Sequence, residues 1–429
     1  MQVVLTVIEG PHKGREFAFT GHDTFLVGRS KRTHFQLLSK DRYFSRIHFL
    51  VEVNPPRCRL VDMNSRNGTF VNDERVQSRE LRHGDRIKAG HTILQVNVPE
   101  DEPAADQGPD TLSWEDLVEA PPASQPTETT TATLPEIPGY HVLRELGRGG
   151  MGVVYLARDE REGVRVALKT ITPAVAPSRA MVERFLREAT ILRHLRHPRI
   201  VSFHDMGEAG GLLYFAMDYV AGTDASRLVK KHGPLPVKSA IVATCQLLEA
   251  LEYAHEQGFV HRDIKPANLL LKSDERRMMN DERKKERRSS FIIHQSSFEG
   301  VKLADFGLAR VYQTSQLSGL TLSGEFGGTM QFMPPEQITH YRQARPAGDQ
   351  FATAATLYYL LTGQFVYDFK DSRKMPMLLI LEEDPVPIEK RGVKLPAGLA
   401  EVIGQALARE PAERFADVAE FREALAEFV

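Results

Sequence analysis

Residues 1–98 alternate between apolar and polar positions in short runs, of which 3–8 and 91–96 are examples. Glycine, asparagine and proline separate the runs from one another. Alternation with a period of two is typical of strands that bury one face, and many short strands divided by turn residues are typical of a sandwich. The pattern therefore predicts an all-β sandwich over 1–98.

The pattern changes in the second half of the chain. From Tyr140 onward, longer apolar periods predict helices, for example over 181–195 and 239–255, after a few strand-like runs. We therefore predict a multidomain chain, with the sandwich followed by an α+β domain over 138–429.

Residues 99–137 have the composition of a linker between these two domains. They include seven prolines, six threonines and ten acidic residues, but no lysine or arginine. Such a segment cannot bury enough apolar surface to fold alone. As a flexible coil it would reach ~30–40 Å, so we expect a tether that allows binding within the chain or to a neighbouring chain.

Charge and cysteine content argue against several classes of protein. The 55 basic and 57 acidic residues nearly cancel, which disfavours a nucleic-acid or membrane-surface binder. Cys58 and Cys245 lie far apart in sequence and predict neither a disulfide framework nor a zinc cluster. The first residues lack the features of a signal peptide, and the most apolar stretch, 351–361, is shorter than the ~20 residues that span a bilayer. We therefore expect a cytoplasmic protein without membrane attachment.

A glycine-rich segment opens the second domain. Gly147, Gly149 and Gly152 precede Val154 between two strand-like runs. Alone, this spacing fits a tight turn as well as a loop that closes over phosphates, because glycine permits both.

A lysine at the end of a strand-like run and acidic residues in the helix predicted after it follow the glycine-rich segment. Lys169 ends the apolar run 166–168 and by itself could be a solvated strand end. The predicted helix that follows carries Glu188, with Glu183 one turn earlier as the other acidic choice.

The most specific motif of the chain is HRDIKPANLLL, residues 261–271. It holds Asp263, Lys265 and Asn268 in an order that chance does not explain. Two further motifs follow at 305–307, Asp-Phe-Gly, and at 334–336, Pro-Pro-Glu.

Taken in this order, the motifs of residues 140–429 resemble the eukaryotic-type serine/threonine protein kinases of bacteria. Lys265 followed by Pro266 matches the serine/threonine branch of these enzymes. The resemblance implies a two-lobed fold with ATP and Mg²⁺ in the cleft, and proteins with serine or threonine hydroxyls as substrates.

The resemblance also implies a role for each motif residue. Asp263 would orient the acceptor hydroxyl and take its proton, and Lys265 would lie beside the γ-phosphate. Asn268 and Asp305 would hold magnesium. Lys169 would neutralise the α- and β-phosphates and pair with Glu188. The positions implied to line the nucleotide are Gly147, Gly149, Gly152, Val154, Ala167, Lys169, Met217, Asp218, Val220 and Leu270.

Regulation by phosphorylation is a further implication. Arg262 precedes the catalytic aspartate, and such an arginine can pair with a phosphorylated residue of the activation segment, 305–336. Thr321 and Ser323 lie at the distance from Glu336 where related kinases are phosphorylated, so we expect autophosphorylation at one of them.

An insertion departs from the kinase pattern at 272–300, where a short hairpin is usual. Of the fifteen residues 274–288, seven are basic and five acidic. We interpret the insertion as a solvated surface segment; docking of a substrate or of the acidic linker is the alternative.

The sandwich segment carries its own motif set. It contains Gly28-Arg29, Ser45-Arg46-Ile47-His48, Ser65-Arg66-Asn67-Gly68-Thr69 and Gly84-Asp85. Each fragment alone could be a turn, but their order and spacing resemble the forkhead-associated (FHA) domain over the whole segment.

That second resemblance implies binding of phosphothreonine peptides. A phosphothreonine offers about two negative charges and three acceptor oxygens. Arg29, Ser45 and Arg46 would contact the phosphate, with Arg29 making two parallel bonds. Arg66 and Asn67 would hold the peptide backbone, whereas His48 would brace the loops. A sandwich that keeps the pattern without the affinity is the alternative.

Two other functions compete with a protein kinase. A pseudokinase scaffold would keep the fold for binding only, yet every catalytic residue named above is present. A kinase for small molecules would share the glycine loop, but the serine/threonine signature and the phosphothreonine reader favour protein substrates.

Overall fold

The chain is described here by a computed structural model. The described residues are 2–37, 43–55, 57–98, 134–149, 152–171, 190–272, 298–306, 330–339, 345–369 and 375–429. Several predicted features lie outside these ranges: Glu188, most of the insertion, and the phosphorylation candidates Thr321 and Ser323.

The N-terminal domain is the predicted all-β sandwich. Its two sheets, in which most neighbouring strands are antiparallel, have the strand orders β2-β1-β11-β10-β7-β8 and β4-β3-β5-β6-β9. The strands are β1 Val3–Glu9, β2 Glu16–Phe19, β3 Asp23–Gly28, β4 Phe35–Gln36, β5 Phe49–Asn54, β6 Arg57–Asp62, β7 Thr69–Val71, β8 Glu74–Val76, β9 Ser78–Leu81, β10 Arg86–Ala89 and β11 Thr92–Asn97.

Alternation along the strands builds the sandwich core. In β1, Val3, Leu5 and Val7 are buried while the residues between them are partly exposed. Strand β5 differs, because all six of its residues are buried. A strand with both faces buried must be covered on its outer side as well.

The small lobe of the second domain is a five-stranded sheet with the order β12-β13-β14-β16-β15. Its strands are β12 Tyr140–Gly149, β13 Gly152–Asp159, β14 Arg165–Ile171, β15 Phe203–Ala209 and β16 Leu212–Asp218. A 3-10 helix, Thr190–His194, occupies the end of the helix predicted over 181–195. Ile137, which the composition placed in the linker, is buried in the apolar cluster of this lobe.

The large lobe is mainly helical. Helix α2 covers the predicted 239–255, and α4 is the most deeply buried helix of the described residues. The helices are α1 Ala225–His232, α2 Val237–Glu256, α3 Pro335–Thr339, α4 Pro346–Thr362, α5 Pro376–Glu382, α6 Leu399–Ala406 and α7 Val418–Ala426. In the described ranges, no helix has the length and hydropathy required to cross a membrane.

A three-stranded sheet lies where the large lobe meets the cleft. It has the order β17-β18-β19, with β17 Gly222–Asp224, β18 Leu269–Lys272 and β19 Gly300–Leu303. Lys272 pairs with Gly300, so the insertion leaves and re-enters the fold at adjacent strand ends.

Candidate functional sites

The segment between α2 and β18 brings the three residues of the most specific motif together. The Asp263 Oδ2 lies 3.0 Å from the Lys265 ammonium and accepts a hydrogen bond of 3.0 Å from the Asn268 amide. The Asn268 amide also donates to the Asp263 backbone carbonyl at 2.8 Å. The other carboxylate oxygen, Oδ1, is buried and has no hydrogen-bond partner among the described residues. One oxygen is thus held in place while the other is left as an acceptor.

Two helices of the large lobe fix the backbone of this loop. The Asp349 carboxylate, 1% exposed, accepts the backbone N–H groups of His261 and Arg262 at 2.8 Å each. Gln337 of α3 donates to the Arg262 carbonyl at 2.8 Å. Arg262 has a φ of 68°, a left-handed conformation that costs about 1–3 kcal/mol and is concentrated at functional sites.

Asp305 lies against Lys169 across the cleft, with 2.8 Å between the carboxylate and the ammonium. Burial would raise the pKa of Asp305, but the Lys169 ammonium, with smaller effects from Lys265 and His261, holds that pKa below its usual value. The carboxylate is therefore ionised at neutral pH. The partner predicted for Lys169, Glu188, is outside the described residues.

Asp305 and Asn268 offer the donor atoms that a magnesium site requires. The backbone N–H of Ala304 donates to the Asn268 carbonyl at 2.8 Å, which ties the two segments together. Since the Asn268 amide nitrogen donates to Asp263, its side-chain oxygen is the atom that would bind the ion. Mg²⁺ prefers one or two such oxygen ligands together with phosphate oxygens. The residues present fit the ion.

The glycine-rich segment is a hairpin between β12 and β13. Gly147 pairs with Val154 and Gly149 with Gly152 across the two strands. Gly152 has a φ of 142°, and a Cβ at this position would collide with the Thr170 carbonyl oxygen. Only glycine fits there, so the hairpin can lie close to the sheet.

The remaining positions predicted to line the nucleotide come from the five-stranded sheet, the segment after it, and the three-stranded sheet. Ala167 of β14 pairs with Met217 at the end of β16, and both are buried. Leu270 of β18 and Val220 are partly buried against the main apolar cluster.

Asp218 differs from the others because its side chain is held by the scaffold. Its carboxylate lies 3.0 Å from the Lys302 ammonium and 2.8 Å from His204 Nε2. Burial would raise the pKa of Asp218, but Lys302, the Ser202 N–H and His204 together hold the pKa below its usual value. A contact of Asp218 with the nucleotide would therefore be made by its backbone. Sequence reasoning missed this cluster, since nothing in the motif pattern singles out Lys302.

The sandwich brings its own predicted residues to one end of the domain. The Arg29 N–H donates to the Ser45 carbonyl at 3.1 Å, and the Arg66 N–H donates to the Ser45 hydroxyl at 3.0 Å. Asn67 donates to the Tyr43 carbonyl at 2.8 Å. The Arg29 Nε is buried and has no hydrogen-bond partner among the described residues. The three loops are thus joined around an arginine whose donors are not all used.

His48 braces these loops, as predicted. It is fully buried, its Nδ1 accepts the Ser45 N–H at 3.2 Å, and its Nε2 lies 3.2 Å from the Gly68 carbonyl. Asp62 holds the neighbouring loop through the hydroxyls of Ser65, at 2.6 Å, and Thr69, at 2.5 Å.

Arg46 makes a contact that the sequence did not predict. Its guanidinium lies 2.9 Å from the carboxylate of Glu382, on α5 of the large lobe, while 69% of the Arg46 side chain stays exposed. The nearby Arg32 donates to the Leu381 carbonyl at 2.6 Å. The end of the sandwich that carries the candidate phosphate site therefore borders the large lobe.

Comparison with protein families supports two domains. A family model for the protein kinase domain matches residues 140–426, and a model for the FHA domain matches residues 25–90.

Serine/threonine-protein kinases of mycobacteria are among the curated relatives of this chain. PknD of Mycobacterium tuberculosis is 35% identical over 276 residues, which are 64% of this chain and 37% of PknD. PknF of the same species is 35% identical over 292 residues, 67% of this chain and 56% of PknF. PknB of Mycobacterium leprae is 33% identical over 281 residues, 65% of this chain and 41% of PknB. The chain thus spans about 37–56% of the length of these relatives.

Solved structures share the fold. A crystal structure of Rad53 1–466 in complex with AMP-PNP covers 99% of both chains, with a TM-score of 0.51 and 19% identity, which supports the architecture alone. A double mutant of the Mycobacterium tuberculosis PknI kinase domain is 31% identical, with a TM-score of 0.50, over 68% of this chain and 95% of that one. Because the kinase model matches well over half of its length, the chain belongs to the protein kinase family, and it carries an FHA domain ahead of the kinase domain.

Proposed function

We propose that this chain transfers the γ-phosphate of ATP to serine and threonine hydroxyls of proteins, including its own, and recruits phosphothreonine-containing partners through its FHA domain. The observation that carries the proposal is the geometry of Asp263. Its Oδ2 is held at 3.0 Å by both Lys265 and Asn268, and its Oδ1 is buried with no hydrogen-bond partner in the described segments.

The carboxylate of Asp263 is placed to act on an incoming hydroxyl. A hydroxyl that donates to Oδ1 would be oriented for attack and would lose its proton to that oxygen as its bond to the γ-phosphorus forms, while the bond from that phosphorus to the bridging oxygen breaks and ADP leaves. Lys265, already within 3.0 Å of the carboxylate, would stabilise the negative charge of the transferred group.

Lys169 and Asp305 would hold the nucleotide from the opposite side. The 2.8 Å ion pair with Asp305 positions the Lys169 ammonium, and Lys169 is only 8% exposed. When bound, Mg²⁺ would neutralise charge on the β- and γ-phosphates, with Asp305 and Asn268 as its protein ligands.

The FHA domain would bind phosphothreonine with Arg29, Ser45 and Arg46, and the peptide backbone with Arg66 and Asn67. The buried Arg29 Nε without a partner among the described residues supports a site for a charged acceptor. Hydrogen bonds between arginine and phosphate are charge-assisted and are about twice as strong as neutral ones.

One assay tests the catalytic part. The purified protein is incubated with labelled ATP, Mg²⁺ and basic protein substrates, and the phosphorylated sites are mapped. Label on serine and threonine, in substrates and in the chain itself, is the expected result. Loss of transfer with intact nucleotide binding would favour a pseudokinase scaffold, and transfer to small molecules alone would also overturn the proposal.

Calorimetry tests the FHA part. A phosphothreonine peptide is expected to bind, and the same peptide with unmodified threonine is expected not to bind. Equal affinities for both peptides would contradict phosphothreonine recognition.

A further inference from the structure

The outer face of the second sandwich sheet is apolar and buried. Leu26 of β3 and Leu50 of β5 point away from the sandwich core, because their neighbours Phe25 and Phe49 belong to that core. Leu26 and Leu50 are 0% exposed, and they belong to the same apolar cluster as the kinase large lobe. Ile47 and Met63, 4% and 1% exposed, lie in this cluster too. We call Leu26, Ile47, Leu50 and Met63 the docking face.

Polar contacts surround the docking face and identify what covers it. The Thr24 hydroxyl donates to the Ile338 carbonyl of α3 at 2.8 Å. At α5, Arg32 donates to the Leu381 carbonyl at 2.6 Å, and Arg46 pairs with Glu382 at 2.9 Å. The occupant of the docking face is therefore the large lobe of the same chain, through α3 and α5.

Helix α3 connects the docking face to the catalytic loop. Ile338 accepts from the FHA domain, and the adjacent Gln337 donates to the carbonyl of Arg262, the residue before Asp263. Gln337 is 7% exposed, so this bond is shielded from water. One short helix thus contacts the FHA domain with one residue and the catalytic loop with the next.

We propose that the FHA domain docks on α3 and α5 to form one body with the kinase large lobe, and that this body selects substrates already phosphorylated on threonine at a set distance from the acceptor hydroxyl. The inference rests on the proposed function and adds a substrate class to it. A docked phosphate site lies at a fixed position relative to Asp263. A site that was only tethered by residues 99–137 would raise the local concentration of substrate without fixing a distance.

Capture of a phosphate is compatible with docking. In the Arg46–Glu382 pair, the Arg46 side chain is 69% exposed while that of Glu382 is 14% exposed, so the guanidinium can be reached from solvent. A phosphate dianion would therefore take Arg46 from Glu382, whereas the buried apolar contacts of Leu26 and Leu50 would keep the domains together.

The test uses the full chain and a series of peptides. Each peptide carries a phosphothreonine and one acceptor serine, separated by an increasing number of residues, and a matched series carries unmodified threonine. We expect kcat/KM to rise at least ~10-fold over the unmodified peptide at a preferred spacing, and to fall on either side of it.

Two variants weaken docking without altering the phosphate-binding residues. Leu26→Ser combined with Leu50→Ser makes the docking face polar, and Arg32→Glu places a carboxylate against the Leu381 carbonyl and Glu410. In each variant the rise in kcat/KM should lose its dependence on spacing, while phosphorylation of the unmodified peptides stays unchanged. The matched controls are Leu143→Ser, at an exposed leucine of the small lobe, and Lys13→Glu, in the turn between β1 and β2.

The possible results separate the inference from the proposed function. If calorimetry shows that the full chain does not bind the phosphothreonine peptides, phosphothreonine recognition itself fails. If the peptides bind but the wild-type rate is independent of spacing, or if both docking variants keep the wild-type spacing preference, the docked arrangement is refuted. A double leucine variant that does not fold leaves Arg32→Glu as the deciding measurement.

Discussion

At the scale of single residues, the candidate active site depends on groups that hold charge in place. Asp263 and Lys169 each lie within 3.0 Å of an oppositely charged partner. We predict that Asp263→Asn or Lys169→Met leaves a folded protein whose rate of phosphoryl transfer falls by roughly two orders of magnitude or more. Lys272→Met removes an exposed lysine outside the cleft and serves as the control.

A steady-state assay with a peptide substrate measures this effect, and circular dichroism checks the fold. Turnover close to the wild-type rate in either variant would show that these residues do not perform the chemistry.

An ion pair at the end of the activation segment gives a second prediction at the scale of single residues. The Arg414 guanidinium, whose side chain is 0% exposed, makes two bonds to the Glu336 carboxylate at 2.6 and 2.9 Å. Removing one partner of a buried pair costs about 3–5 kcal/mol, because the other partner is left without compensation; Glu336 is 22% exposed and stays partly solvated, so the lower end of this range applies. We therefore predict that Arg414→Ala lowers the unfolding free energy of the kinase domain by about this amount.

Arg422→Ala is the matched control, since Arg422 pairs with Glu252 at 2.9 Å but both side chains are about one third exposed. Pairs at the surface contribute about 0–1 kcal/mol. Urea unfolding followed by fluorescence measures both variants, and equal losses of stability would contradict the distinction between buried and exposed pairs.

At the scale of elements, the charged insertion is attached to a hairpin that is complete without it. Lys272 pairs with Gly300, and Leu271 with Val301, so the strand ends are adjacent. We predict that replacing residues 274–297 with a short Gly-Asn turn leaves peptide phosphorylation unchanged, because neither Asn268 nor Asp305 has to move.

The kinetic constants of the shortened protein towards a peptide provide the measurement. If activity is abolished although the domain is folded, the insertion takes part in catalysis or docking, and the interpretation as a solvated surface segment is wrong.

The activation segment is a second element with a testable role. Arg262, held in a left-handed conformation beside Asp263, can pair with a phosphate on this segment. We predict autophosphorylation at Thr321 or Ser323, and lower activity when both are replaced by alanine. Mass spectrometry of the active enzyme checks the prediction, and the absence of phosphate from the whole of 305–336 would contradict it.

The elements also show which parts of the fold could be predicted from the sequence. Short alternating strands and long helical periods are local signals, and the sandwich and the helix at 239–255 were predicted from them. The loop that brings Asp263, Lys265 and Asn268 together was predicted because these residues are close in sequence. The clusters around Asp218 and Gln337 were not, since their partners Lys302 and Arg262 come from distant segments and no local pattern links them.

At the scale of the whole molecule, the contact between the two domains could not be predicted from sequence patterns. The linker composition suggested two domains without a fixed arrangement, whereas β3 and β5 of the FHA domain pack on the kinase large lobe. The available signal was the unbroken apolar character of Phe49, Leu50 and Val51 in β5. That signal shows that both faces are covered, but it does not identify the partner.

How the FHA domain and the kinase domain cooperate depends on which phosphothreonine the FHA domain binds. Five threonines of the linker, Thr127, Thr129, Thr130, Thr131 and Thr133, are candidate products of the kinase and hence ligands of the FHA domain. Substrates phosphorylated elsewhere are the other source of ligand. We favour recruitment of substrates, because the linker threonines are equally explained by the composition of a flexible segment.

Substitution of Arg29 tests the binding of phosphothreonine separately from phosphoryl transfer. Its buried Nε has no hydrogen-bond partner in the described part of the chain, and the residue lies in the FHA domain, outside the active-site cleft. We predict that Arg29→Ala abolishes binding of phosphothreonine peptides, leaves phosphorylation of a generic peptide intact, and reduces phosphorylation of protein substrates that carry phosphothreonine. The loss of charge-assisted bonds to the phosphate is the physical reason.

Calorimetry with a phosphothreonine peptide and kinetics with the two kinds of substrate measure these effects on the same preparation. Arg57→Ala, which removes an exposed arginine of β6 paired with Glu80, is the control for loss of charge from the domain. A variant with alanine at the five candidate threonines of the linker distinguishes the sources of ligand, since recruitment of substrates should persist in it and binding of the linker should not. Unchanged phosphopeptide affinity in Arg29→Ala would show that the FHA domain does not read phosphothreonine through this residue.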